Sequence, residues 1–175
     1  MTGYPAQEEE EHFKNETEQN KAWFQNAEIF RNLPAELAVE LDHPKLYEQY
    51  LTRPIERFME EYWQQHGIKD ARILGRRPDR LYLGNQFCPH LFPEEEQLFA
   101  LLEKADKERI EVTVAFSFIR EDRLTQTEQL LTRLDQWCEQ QKTSGAEKKR
   151  LEVVVNDWGL AHLVKRTEHL IPCLG

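Results

Sequence analysis

The sequence predicts an α/β fold built on a parallel sheet, and three repeats of one plan predict it. Apolar runs over residues 81–84, 110–119 and 151–155 each break into glycine or polar residues and then lead into helical sequence. A strand, loop and helix repeated in series imply crossovers, and crossovers return strands that run parallel. The loops after parallel strands gather at one end of the sheet, where binding chemistry collects. Cys88, the region of Asp122, and Asn156 with Asp157 are therefore expected to be neighbours in space.

The totals narrow the function classes. A chain of 175 residues is about one domain, long enough to bury a core. A net charge of -9 argues against a nucleic-acid partner, because an acidic surface repels phosphates. The basic clusters at Arg76 and Arg77 and at Lys148, Lys149 and Arg150 read as solvated loop charges. No apolar run approaches the roughly 20 residues of a membrane span, and the N-terminus is acidic where a signal peptide is basic. The expectation is a cytoplasmic protein without a membrane partner. Cys88, Cys138 and Cys173 are odd in number and widely spaced, which favours reduced thiols over a disulfide framework.

Residues 1–67 read as a helical segment ahead of the α/β part, which takes residues 68–175. Residues 1–11 are polar and read as a disordered tip. From there to His66, Trp23, Phe24, Ile29, Phe30, Leu33, Leu37, Leu41, Tyr47, Tyr50 and Leu51 recur at three- and four-residue spacings, which predicts one long helix and two shorter ones. Asn32 and Pro34 interrupt the pattern once. Asp42, His43 and Pro44 interrupt it again, with a capping residue ahead of a proline in a first helical turn. At Pro54 the helix either kinks or gives way to a new one. Aromatic residues at this spacing read as core packing, with a partner-binding helical arm as the alternative.

Gly67 suits a helix C-terminal cap, and residues 68–74 read as a short extended piece before a turn. After the first strand, Pro93 followed by Glu94, Glu95 and Glu96 starts a helix that carries Leu98, Phe99, Leu101 and Leu102 inward and ends near Lys107. In the second strand Val112, Val114, Phe116 and Phe118 alternate with smaller residues. Thr125 or Thr127 is expected to cap the next helix, whose inner stripe is Leu130, Leu131, Leu134, Trp137 and Cys138, the last a small core hydrophobe. Residues 142–150 form a charged linker through Ser144 and Gly145. The third strand is β-branched and suits a buried position. A brief helix over residues 160–165 leads to residues 170–175, the start of a fourth strand in which Pro172 fits only an edge or an opening position. A sheet that stops there leaves an apolar edge, so a truncated product, or a half completed by a second copy or another chain, is expected.

Tyr82, Leu83 and Gly84 followed by Cys88, and then Val155, Asn156, Asp157, Trp158 and Gly159 at a later strand end, resemble the N-terminal half of the collagenase-like peptidase family. The likeness covers residues 80–175. That family includes iron-sulfur relatives that assist ubiquinone hydroxylation without oxygen. The resemblance implies a partial (β/α) barrel, of which this chain supplies about the first half. It also implies that Cys88 is one ligand of a [4Fe-4S] cluster in the full-length form, the other ligands lying beyond this sequence. No nucleophile and base match residue by residue, so no catalytic residues are assigned.

Two readings of the loops stay open. Cys88, with His90 two positions on to lower its pKa, is either a metal ligand or nucleophile or an ordinary half-buried thiol. Asn85, Asn156 and Asp157 present amides and a carboxylate at strand ends, as substrate contacts do. Asn156 and Asp157 also suit a turn that caps the next helix. His162 and His169 read as surface or packing residues, and no glycine-rich phosphate loop or metalloprotease motif is present. The functional expectation is a protein that acts on, or helps modify, a peptide or small aromatic substrate. The alternative is a non-catalytic interaction module that uses the helical arm and the exposed sheet edge.

Overall fold

Five strands, β1 (Ala38–Leu41), β2 (Arg80–Gly84), β3 (Glu111–Ala115), β4 (Leu151–Val155) and β5 (Leu170–Leu174), form one sheet in sequential order, and every neighbouring pair is parallel. The computed structural model describes residues 36–69, 75–141 and 149–175, which belong to one unit, Glu36–Gly175. The tip and the long helix expected before residue 36 lie outside the described residues, as do most of the extended piece over 68–74 and the Ser144 and Gly145 loop.

The helical reading of Leu37 to Leu41 is corrected by β1. Leu33, Leu37 and Leu41 satisfy a period of four, but Val39 and Leu41 are buried while Ala38 and Glu40 are exposed, the period of a strand. After β1 the break at Pro54 resolves into two helices, α1 (Pro44–Thr52) and α2 (Ile55–Gln65). The cap of α1 is His43 rather than Asp42. Its ring Nδ1 accepts from the Lys45 amide at 3.2 Å, and Pro44 occupies the first turn. In α2, Ile55, Phe58, Met59 and Trp63 make one inward stripe. Gly67 ends it at φ 65°: its amide donates to the Gln64 carbonyl and the Ile68 amide to the Trp63 carbonyl, the paired bonds of a Schellman cap.

Three more helices follow the inner strands. They are α3 (Glu95–Lys107), α4 (Leu124–Gln140) and α5 (Trp158–Val164). Leu98, Leu101, Leu102 and Ala105 of α3 are buried, as are Leu131, Leu134, Trp137 and Cys138 of α4. These stripes join Val39, Leu41, Leu81, Leu83, Val112, Val114, Val153 and Val155 in one core. Each fully buried leucine contributes about 1.5–3 kcal/mol by leaving water. Neither Thr125 nor Thr127 caps α4. A turn of 3₁₀ helix, Glu121–Arg123, leads into it, and the Thr127 hydroxyl donates to the Arg123 carbonyl instead.

β5 is one edge of the sheet, a position that Pro172 fits. The Leu151 amide donates to the His169 carbonyl and the Gly175 amide to the Val155 carbonyl, so odd-numbered residues of β5 face β4. The ring of Pro172 therefore stands where an outward N–H would otherwise point, which blunts the edge. Among the described residues no helix is long and apolar enough to cross a membrane.

Candidate functional site

Parallel strands place the loops after β1, β2, β3 and β4 at one rim, and polar side chains tie those loops together in two pairs. Asn85, buried just after β2, uses both its amide oxygen and its amide nitrogen locally. Its Oδ1 accepts from the amides of Phe87 (2.9 Å) and Cys88 (2.8 Å), and its Nδ2 donates to the Asp42 carbonyl (3.1 Å). Asn156 Nδ2 donates to the Phe116 carbonyl at 2.8 Å. Asp157 caps α5 through Oδ1, which accepts from the Leu160 amide at 2.7 Å, and its Oδ2 accepts from the Ile119 amide at 2.9 Å. So Asn85 and Cys88 belong to a group tied to the β1 loop, and Asn156 and Asp157 to a group tied to the β3 loop. No hydrogen bond or ion pair joins the two groups among the described residues.

The second strand of the sequence reading ends early, and that shortening makes a cavity. β3 stops at Ala115 rather than Ile119, so residues 116–120 turn away as a loop beside the loop after β2. Between them lies a cavity of about 200 Å³. Its apolar wall is the stacked pair Phe92 and Phe116, ring centroids 4.7 Å apart, extended by Leu130 of α4. His90, Glu94, Ser117 and Arg123 bring polar groups to the same space. The buried hydroxyl of Tyr47 donates to the Leu91 carbonyl at 2.9 Å and fixes the loop from below. Burial, then the carboxylates of Asp42 and Glu40, push that hydroxyl above the ordinary tyrosine range, so it stays a donor.

No family model, curated protein or solved structure matches the chain.

The rim around the cavity is apolar to an unusual degree. Phe87 and Phe118, on the loops after β2 and β3, and Trp158, the first residue of α5, are 87%, 61% and 90% exposed. Of these only Phe118 lines the cavity. The sequence reading found His90 but missed Glu94 and Arg123 as site residues. Phe92 lies in a Pro-rich loop and Phe116 in an alternation that continues past the strand end.

Cys88 is half-buried at the start of a single 3₁₀ turn, Pro89–Leu91. Cys138 lies in the core, where burial and then the Asp135 carboxylate push its thiol up to about 12. Cys173 is on the edge strand β5. Among the described residues no three His, Cys, Asp or Glu side chains gather as a metal site would require. One thiol does not hold a four-iron cluster, so these residues by themselves do not fit that group.

Proposed function

We propose that this chain is a ligand-binding unit, the first half of a (β/α) barrel, whose carboxyl-end rim takes a small aromatic molecule that the full protein acts on or helps modify. The cavity between the loops after β2 and β3 carries this reading. An apolar cavity of about 150 Å³ is enough to hold benzene, and this one is about 200 Å³ with a stacked phenylalanine pair as its wall. A peptide needs an extended groove, and this cavity is the size of one ring. The barrel is supported by the sequential strand order with the helix stripes gathered on one face of the sheet. Titration of the protein with benzyl alcohol, followed by ligand-observed NMR, tests the site. Saturable binding abolished by the cavity-filling change Leu130→Trp, with folding intact, is expected; absence of binding removes the reading.

The family likeness adds Cys88 as one thiolate of a cluster whose other ligands come from outside these 175 residues. Iron and sulfide analysis of anaerobically prepared full-length protein checks it, and an iron-free product deletes the cluster from this proposal. The alternative, a second copy or partner chain adding a strand at β5, is weakened by the N–H missing at Pro172. Light scattering over a concentration series separates the two, because edge pairing makes the mass rise with concentration.

A further inference from the structure

We propose that the rim cavity takes a single-ring α-amino acid, its ring against Phe92 and Phe116, its carboxylate on Arg123 and its ammonium on Glu94. This rests on the reading of the cavity as an aromatic site and adds the charge of the ligand.

The argument is a charge census of the walls. Five charged side chains line the cavity: Glu94, Glu95, Arg120, Asp122 and Arg123. Three are already neutralised, because Arg120 Nε lies 3.2 Å from Asp122 Oδ1 and Glu95 pairs with Arg133 of α4. The two that remain are of opposite sign. Arg123 donates through Nη1 only to the neutral amide oxygen of Gln126, at 3.0 Å, and has no carboxylate partner among the described residues. The Glu94 carboxylate has no hydrogen bond or ion pair among the described residues.

Glu94 stands on the loop after β2 and Arg123 on the turn before α4, so the two charges come from the two loops that wall the cavity. A simple anion would satisfy Arg123 and face the Glu94 carboxylate; a simple cation would do the reverse. A ligand carrying both charges on one carbon, behind one ring, pairs with both walls at once. The guanidinium fork suits a carboxylate in particular, since two parallel N–H groups match its two oxygens. Both side chains reach solvent, so each charge adds selectivity rather than most of the affinity.

The test uses four probes that share a ring and differ in charge: L-phenylalanine, phenylpropanoate, phenethylamine and phenylpropanol, titrated into the 175-residue protein by calorimetry. L-Phenylalanine is expected to bind about fivefold more tightly than either singly charged probe, the scale of one exposed ion pair. Arg123→Gln should weaken L-phenylalanine and phenylpropanoate and leave phenethylamine unchanged. Glu94→Gln should weaken L-phenylalanine and phenethylamine and leave phenylpropanoate unchanged. Both positions are exposed, and thermal melts of the two variants confirm folding. Equal binding of all four probes, or tighter binding of a singly charged one, overturns the zwitterion and leaves the ring site standing. Failure of all four to bind overturns both.

Discussion

Gly84→Ala is the substitution that links the sheet to the cavity wall most directly. Gly84 closes β2 at φ 117°, a backbone angle that side chains on L-residues rarely adopt. A β-carbon built there would lie 2.3 Å from the Ala115 carbonyl oxygen and 3.0 Å from two carbons of the Phe92 ring. The carbonyl belongs to the neighbouring strand and moves only if the β2–β3 pairing is disturbed. The ring moves only by leaving its stack on Phe116. Backbone strain contributes about 1–3 kcal/mol. Forced overpacking adds about 1–3 kcal/mol. The smaller conformational freedom of the unfolded alanine chain returns about 0.4–1 kcal/mol. The net expected loss is roughly 1–5.5 kcal/mol, a large share of the stability of a domain. Gly67→Ala is the control, since Gly67 also has positive φ but open space around it, so only backbone strain of about 1–2 kcal/mol applies. In urea, Gly84→Ala should lower the midpoint by about 1 M or more at an unchanged slope. It should also weaken benzyl alcohol binding, because Phe92 is displaced. A midpoint for Gly84→Ala no lower than that of Gly67→Ala would refute the close approach on which the cavity wall depends.

The other predictions use positions away from that wall. Arg109, at φ 57°, fills the left-handed position after α3 that glycine usually takes, with its amide bonded to the Asp106 carbonyl and the Ile110 amide to the Ala105 carbonyl. Arg109→Gly should therefore raise stability by about 0.5–1 kcal/mol in urea melts. Asp157→Ala removes both the α5 cap and the Ile119 bond and should cost about 2–4 kcal/mol by thermal melting. If it melts like wild type but loses ligand binding, Asp157 is a substrate contact after all. The Cys138 thiol, raised from 9.0 to about 12, ionises earlier in the unfolded chain. Stability from this group is thus complete below pH 9 and falls as pH rises toward 12, by up to about 1.4 kcal/mol per pH unit. Urea melts between pH 8 and roughly 10.5 should show a flatter decline in Cys138→Ala, because the comparison cancels the tyrosines.

Strand direction was legible because it follows from connection length. A helix between two strands of one sheet forces them parallel, and residues 93–107 and 124–140 announce helices through acidic first turns or periodic leucines. β1 was not legible, since four residues offer only Val39 and Leu41 as inward positions while Leu33, Leu37 and Leu41 imitate a helix face. Its strand character comes from pairing with β2, a long-range contact invisible to local periodicity. The end of β3 was hidden for a similar reason. Phe116 and Phe118 continue the alternation of Val112 and Val114, but Asn156 takes the Phe116 carbonyl and Asp157 the Ile119 amide. Side chains from the next loop therefore capture the backbone just past the strand. Asn85, Asn156 and Asp157 follow directly on β2 and β4, and their bonds fix the loops on either side of the cavity, although none of the three lines it.

The two faces of the sheet explain why ligand binding is expected at the rim rather than on the strands. Leu81, Leu83, Val112, Val114, Val153 and Val155 point into the helical core, whereas the intervening residues, carried across the register, read Glu40, Tyr82, Thr113, Glu152 and Ile171. A parallel sheet covered on both sides has apolar residues on both; this face has a charged network at its centre. Arg80 Nη1 donates to Thr113 Oγ1 at 2.8 Å and to Glu152 Oε2 at 2.6 Å, and the Thr113 hydroxyl donates to the same Glu152 oxygen at 2.9 Å. Groups already satisfied by one another gain little from a new partner and cost desolvation if one covers them. Cys173 pairs with Val154 on this same face, where burial and then Glu152 raise its thiol pKa. That places it away from the loop of Cys88 and disfavours the thiolate that a metal or an electrophile would need. At the rim the balance reverses, because the cavity offers an apolar wall together with Arg123 and Glu94, neither of which has an ion pair among the described residues. On the reading proposed above, a small ligand would therefore gain most between the loops after β2 and β3.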